Sequence, residues 1–226
     1  MTARDNFLTN VRKAVAAGNQ AGLVRGLPTG PRVGYQGGGS NLVQRFADEL
    51  RAAGGQCHVV ADDEHGAVAA VQIAVRAGAK KVILSGELAS QLQLRPALRA
   101  RGIETALEKD ITANAAKDTC FAADLGITGV DWLIAETGSI VLAACTGQAR
   151  SPSLLPPVHI ALAQKNQIVP DLFDVFDKLG AAPNHPTNLP SCLTIITGPS
   201  KTGDIELRLV TGVHGPGEVH VVLIDS

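Results

Sequence analysis

The sequence predicts an α/β fold with a mostly parallel sheet, helices on both faces and a β-hairpin in the C-terminal half. Three observations indicate this class: short apolar runs alternate with helical stretches, the joints between them are short, and two later apolar runs flank a glycine-containing turn. Strand–helix alternation forms βαβ units, whose right-handed crossovers place helices on both faces of the sheet. With 226 residues, 45% of them hydrophobic, the chain can bury a sizeable core.

The alternation occupies the middle of the chain. Each predicted strand is a short run that contains Val, Ile, Leu or Ala, and each predicted helix closes near a glycine. The predicted strands are residues 57–61, 81–85 and 102–106, and the predicted helices are 63–77, 88–101 and 112–123.

The pattern changes after Gly126. The apolar runs 131–135 and 139–144 are joined by Glu136-Thr137-Gly138, which predicts the β-hairpin. Further strands over 158–163, 193–197, 204–211 and 219–224 are expected to complete the sheet, with a short helix at 171–179.

The N-terminal part predicts a separate arm. Residues 1–40 comprise an amphipathic helix from about Ala3 to Val24 and a glycine-rich loop, and residues 41–226 form the α/β domain. Ser40 is the predicted N-cap of a helix that runs to Ala53.

Composition excludes several classes of protein. The net charge is −1 without a long run of one sign, so no nucleic-acid partner is expected. No apolar run is long enough to span a membrane. The four cysteines lack metal-site spacing, so we expect a cytoplasmic protein without metal or other cofactor. They are Cys57, Cys120, Cys145 and Cys192.

The hairpin turn is the first candidate site. Glu136 lies at its tip as a candidate catalytic carboxylate, and Thr137, Gly138 and Ser139 offer hydroxyls and backbone amides to an anion. The competing interpretation is an ordinary polar turn.

A glycine-rich segment near residue 200 is the second candidate. Gly198, Ser200, Lys201 and Thr202 combine accessible amides, hydroxyls and a positive charge, which favours an anion site without matching a Walker loop. In the strand predicted after this segment, the side chains of Asp204, Glu206 and Arg208 lie on one face, because side chains alternate between faces along a strand. The two carboxylates could serve acid–base chemistry, and the competing interpretation is a solvated face.

Three further residues complete the candidate set. Arg150 offers a guanidinium fork to a carboxylate or phosphate, and Ser153 lies three residues beyond it. His214 lies in a tight turn, where it is either an acid or base or a structural residue.

Three segments resemble the LUD-domain family, which includes lactate utilization protein C. They are Gly126–Leu142, Ser153–Ala161, and Thr197–Glu206 followed by Gly212–Pro216. The resemblance implies a fold like that of the NagB/RpiA/CoA-transferase group, related to 5-formyltetrahydrofolate cyclo-ligase. It also implies a role in oxidising L-lactate to pyruvate beside two iron–sulfur partner proteins. The family pattern has Arg where this chain has Lys201, and Ala where it has Gly203.

The leading hypothesis is a non-redox component of a lactate-oxidising system that binds a small carboxylate or a phosphorylated ligand. One alternative is an enzyme of the transferase or cyclo-ligase kind, with Glu136 as nucleophile or base. Another is an assembly subunit for iron–sulfur partner proteins. All three place the polar segments around one common pocket.

Overall fold

The computed structural model describes residues 2–18, 39–144, 149–180, 190–203 and 209–226. The chain divides into two compact units, residues 1–35 and 36–226. The first contains helix α1 (Ala3–Gly18). Residues 19–38, where the sequence predicts the end of this helix and most of the glycine-rich loop, lie outside the described residues.

The second unit alternates strands and helices, as predicted. Its described strands are β1 (Gln56–Val60), β2 (Lys81–Leu84), β3 (Glu104–Leu107), β4 (Leu125–Gly129), β5 (Trp132–Ile134), β6 (Ser139–Ala144), β7 (Val158–Gln164), β8 (Ile168–Val169), β9 (Cys192–Ile196), β10 (Lys201–Gly203), β11 (Leu209–Thr211) and β12 (Glu218–Ile224). Its described α-helices are α2 (Leu42–Ala52), α3 (Asp63–Arg76), α4 (Glu87–Gln91), α5 (Leu94–Arg99), α6 (Ala113–Phe121), α7 (Ser151–Leu154) and α8 (Leu172–Gly180). Short 3₁₀ turns cover Glu108–Asp110 and Lys165–Gln167.

The main sheet has six strands in the order β1-β12-β7-β4-β2-β3, and all its described pairs are parallel. The predicted parallel sheet is therefore confirmed. Its central strands are mostly apolar on both faces, with Thr128, His159 and His220 as buried polar residues, as expected for strands that are covered by other elements on each side.

The direction of the chain reverses between two neighbouring strands of this sheet. From β2 the chain continues outward to β3, whereas from β4 it continues the other way to β7 and then β12. The gap between β2 and β4 is therefore a topological switch point, and ligands of open α/β sheets bind outside the carboxyl ends of strands at such points.

A second sheet of four strands has the order β8-β5-β6-β9. Strands β5 and β6 are antiparallel and joined by a turn in which Gly138 has φ +63°, which confirms the predicted β-hairpin. The small β10–β11 pair is also antiparallel.

Both faces of the main sheet are covered. Because side chains alternate along a strand, Val82 and Leu84 pack on the face covered by α3 and α5, whereas Ile83 packs with Cys120 of α6 on the other face. The second sheet and α2 cover that other face, where Phe46 and Leu50 are fully buried. Helices on both faces are confirmed.

Three sequence predictions need correction. The helix predicted over 88–101 is split at Gln93, which has φ +50°. The strand predicted over 193–197 pairs within the second sheet, and Leu209–Thr211 pairs with β10, so neither joins the main sheet. The N-cap of α2 is Asn41 rather than Ser40, since the Asn41 side chain accepts a hydrogen bond from Gln44 N.

Candidate functional site

The backbones that follow β2 and β4 meet closely at the switch point. Ser85 N donates to Ile127 O at 2.8 Å, and Gly129 N donates to Ser85 O at 3.2 Å. Gly86 has φ +87°, and a Cβ there would lie 2.9 Å from Gly129 N. Glycine is therefore required for this approach, which places Ser85 next to Thr128 at the carboxyl edge of the sheet.

A small polar cavity adjoins this edge. Ser85, Thr128, Arg150 and Ser153 line it, and its volume of about 10 Å³ suits one water-sized group. Arg150 and Ser153 are predicted site residues, and α7 holds them here. This helix packs so closely on β4 that a Cβ at Gly126 would lie 1.9 Å from the α7 backbone.

The side chains around this cavity are tied into hydrogen bonds. The buried Ser153 Oγ donates to Arg150 O at 2.9 Å, and a guanidinium nitrogen of Arg150 lies 3.4 Å from Cys192 Sγ. The Glu108 carboxylate accepts hydrogen bonds from Ser85 Oγ and from Ala149 N. Two hydrogen-bond donors beside the cavity, Ser85 Oγ and Ala149 N, therefore already share the Glu108 carboxylate as their acceptor.

A buried histidine is hydrogen-bonded to Thr128. Thr128 Oγ1 lies 2.9 Å from Nε2 of His159, whose side chain is fully buried. Within the described part of the chain, His159 Nδ1 has no hydrogen-bond partner. Burial, and secondarily the charge of His220, lowers the pKa of His159 to about 4, so its ring is neutral at physiological pH.

A larger cavity of about 260 Å³ lies at the carboxyl ends of β2, β4 and β7, beside the small one. Asp131 lines it and accepts a hydrogen bond from Ala143 N at 2.7 Å. Partial burial raises the pKa of Asp131 above its ordinary value, although the Ala143 N–H acts in the opposite direction. A carboxyl group that is partly desolvated in a cavity is typical of functional sites.

The predicted turn at Glu136–Ser139 lies elsewhere. Ser139 Oγ is hydrogen-bonded to Thr137 Oγ1 and to Thr197 Oγ1, each at 2.7 Å, so the turn does contact the segment that precedes Gly198. A Cβ at Gly138 would lie 2.1 Å from Leu50 N, which shows how closely the turn packs on α2. Glu136 is half-buried, and its backbone N donates to Pro170 O.

The segment near Lys201 also packs on α2, at the C-terminal end of that helix. Lys201 Nζ donates to Ala53 O at 2.5 Å, and a Cβ at Gly198, which has φ +76°, would lie 2.6 Å from the same oxygen. Lysine near a helix C-terminus satisfies a terminal carbonyl and interacts favourably with the helix dipole. Lys201 thus caps α2.

The other predicted residues of this segment lie in the small hairpin and the turn beside it. Ser200 N donates to Pro216 O at 2.9 Å, and Ser200 Oγ accepts from His214 N at 3.4 Å. Thr202 pairs with Val210 across the β10–β11 hairpin. Asp204, Glu206 and Arg208 lie outside the described residues.

The structure thus divides the predicted residues between two places. The Ser139–Thr197 contact lies at one end of the β6–β9 pair, and the Arg150–Cys192 contact lies at the other end. Cys192 and Thr197 are five residue steps apart along the strand, which corresponds to roughly 17 Å. Arg150 and Ser153 share a cavity with neither the hairpin turn nor Lys201 among the described lining residues.

Sequence reasoning missed the residues at the carboxyl edge of the main sheet. Ser85, Glu108 and Asp131 each follow closely after a predicted or observed strand, and His159 lies inside one. A signal was present, since polar residues directly after parallel strands meet at one sheet edge. Without strand order, that signal does not show which of them are neighbours.

The described residues show neither a metal-ion cluster nor a membrane-spanning helix. They contain no group of three or more His, Cys, Asp or Glu side chains placed to hold a metal ion. They also contain no helix that combines the length and apolarity needed to cross a membrane.

Comparisons with known proteins agree with the fold. Two curated relatives are named lactate utilization protein C: one from Macrococcus caseolyticus is 43% identical over 46% of this chain and 45% of its own length, and one from Bacillus subtilis is 40% identical over 46% and 43%. The matched segment thus spans less than half of each relative. A solved structure of a DUF162 family protein from Deinococcus radiodurans has a TM-score of 0.58 at 23% identity, covering 81% of this chain and 96% of that one, which supports the fold alone. The family model of the LUD domain matches residues 43–224, and the chain therefore belongs to the LUD domain family.

Proposed function

We propose that this chain is a non-redox component of an L-lactate utilization system, which oxidises lactate to pyruvate, and that it binds a small carboxylate beside Arg150. The relatives named lactate utilization protein C support the system, although the similarity covers about half of this chain. The ligand class is supported by the chemistry of the small cavity.

The observation that carries the proposal is the convergence of four polar side chains at the switch point. Arg150, Ser85, Thr128 and Ser153 line the same cavity. Because the Ser85 and Ser153 hydroxyls donate to Glu108 and to Arg150 O, the Arg150 guanidinium is the group that would donate to a ligand. A guanidinium fork matches the two oxygens of a carboxylate, and hydrogen bonds to an ionised acceptor are roughly twice as strong as neutral ones. Backbone contacts at Gly86 and Gly126 hold these groups in place before any ligand binds.

The size of the cavity favours a carboxylate over a phosphorylated ligand. A volume of about 10 Å³ accommodates one water-sized group, which is the size of a single carboxylate oxygen. Arg150 is exposed, so the second oxygen and the rest of the ligand would lie on its solvent side. A phosphate group would bring three oxygens to the same opening.

Isothermal titration calorimetry with L-lactate tests the proposal, with lactamide as the uncharged analogue. Arg150→Gln should weaken lactate binding by about 2 kcal/mol, roughly 30-fold in Kd, because a charge-assisted contact is lost. Arg101→Gln, which removes an exposed charge two residues beyond α5, should leave the Kd unchanged. Equal affinity for lactate and lactamide, or an unchanged Kd in Arg150→Gln, would contradict a carboxylate site at Arg150.

We also propose that iron–sulfur proteins of the same system carry the electrons. The described cysteines lie apart in β1, α6 and β9, and burial raises the pKa of Cys57 to about 11, which disfavours a metal-binding thiolate there. Co-purification of the chain with the iron–sulfur proteins of a lactate-oxidising host tests this. Full lactate oxidation by those proteins in a host lacking this chain would refute the partnership.

A further inference from the structure

The 260 Å³ cavity at the carboxyl ends of β2, β4 and β7 differs from the Arg150 cavity in position. Thr128 lines the small cavity and Gly129 lines the large one. Consecutive residues of a strand face opposite sides of the sheet. The two cavities therefore open on different faces at the same switch point, so a ligand in one does not occupy the other.

The described lining of the large cavity consists of hydrogen-bond acceptors and amides around an apolar floor. Glu87 and Asp131 contribute carboxylates, Gln91 contributes a primary amide, and the partly buried Leu88 contributes apolar surface. This described lining includes neither Lys nor Arg. Its charge is thus opposite to that of the Arg150 cavity.

Among the described residues, no cationic side chain contributes to the shifted pKa of Asp131. Burial is the larger influence and raises its pKa, and the one opposing contact is the neutral N–H of Ala143. Lys165 follows the cavity residue Gln164, but its Nζ pairs with Asp225 Oδ1 at 2.5 Å. A partly desolvated carboxylate is stabilised by a positive charge that enters its cavity.

We propose that this cavity binds a small organic ammonium ligand, with Asp131 as its counter-ion, Glu87 and Gln91 as acceptors at the rim, and Leu88 against its methylene groups. Charge complementarity selects the ligand, because two carboxylates repel the anions that Arg150 attracts. The methylene groups of an alkyl ammonium ion suit the apolar floor better than a hydrated inorganic cation would. This ligand would bind independently of the carboxylate proposed above.

Putrescine is the probe, and 1,4-butanediol is its uncharged counterpart with the same carbon chain. Saturation-transfer NMR measures whether each binds, and amide shifts of the ¹⁵N-labelled chain locate the site. We expect putrescine to bind, with the largest shifts at Gly86, Gly129 and Asp131. Butanediol should bind at least about tenfold more weakly because it lacks the charge. Equal binding of the two, or no binding of putrescine, would overturn the proposal.

Asp131→Asn should weaken putrescine binding at least about tenfold while leaving lactate binding at Arg150 unchanged. Asparagine keeps the size and the acceptor for Ala143 N, so the variant removes charge with little change in packing. Glu104→Gln is the matched control, because Glu104 lies at the amino end of β3, whereas the cavity lies at the carboxyl ends of the strands. Unchanged putrescine affinity in Asp131→Asn would refute the site. Arg150→Gln affects lactate alone, so the two proposals fail separately.

Discussion

The buried His159 should make folding stability depend on pH. Its ring is fully buried, and its pKa falls from the ordinary value of 6.5 to about 4. A difference of about 2.5 units corresponds to roughly 3 kcal/mol between the two protonation states. The unfolded chain binds the proton more readily, so this contribution is complete above pH 6.5 and is lost as the pH falls towards 4.

Urea unfolding at pH 7.5, 6.5, 5.5 and 4.5 measures this loss when the chain is compared with His159→Gln. Glutamine does not titrate, and its amide can still hydrogen-bond to Thr128. His58 and His220, whose pKa values are also lowered by burial, are present in both proteins, so the comparison isolates the His159 ring together with its interaction with His220. Between pH 6.5 and 4.5 the free energy of unfolding should fall further in the wild type than in the variant, and the difference should be most of the roughly 3 kcal/mol. Parallel stability curves would refute the neutral buried ring.

Two further substitutions test the contacts of α2. Gly138→Ala should lower the free energy of unfolding in urea by about 1–3 kcal/mol. The reason is that the added Cβ would lie 2.1 Å from Leu50 N, at a residue with φ +63°. An unchanged urea midpoint would mean that the turn does not pack on α2. Lys201→Met should cost about 1 kcal/mol through the lost bond to Ala53 O, seen as a lower Tm than in the exposed-site control Lys109→Met. Equal Tm values for the two Met variants would remove the capping role.

The fold class could be predicted because its signals are local. Short strands, helical stretches and the Gly138 turn each reveal themselves within a few residues, and apolar strands indicate burial on both faces. The break at Gln93 could not be predicted in this way. The helical pattern continues on both sides of Gln93, and a left-handed backbone conformation at a non-glycine residue is set by tertiary packing.

The site was predicted in part, for a different physical reason. Arg150 and Ser153 were identified by chemical type, whereas their neighbours Ser85 and Thr128 come from other segments of the chain. Their proximity depends on strand order, which residue patterns do not encode. The hairpin turn and the segment before Gly198 meet at the Ser139–Thr197 contact, whereas Arg150 contacts Cys192 at the far end of the β6–β9 pair.

The position of β12 between β1 and β7 has a consequence for synthesis in the cell. Roughly 160 residues separate β1 from β12, so at a translation rate of about 5–20 residues per second β1 waits on the order of 10–30 s for its partner. β1 presents a strand edge that can pair with other chains throughout that interval, and β7 does so once it has been synthesised. Nascent chains shorter than residue 218 should therefore depend on ribosome-associated chaperones, and slowing translation should increase the amount of insoluble product.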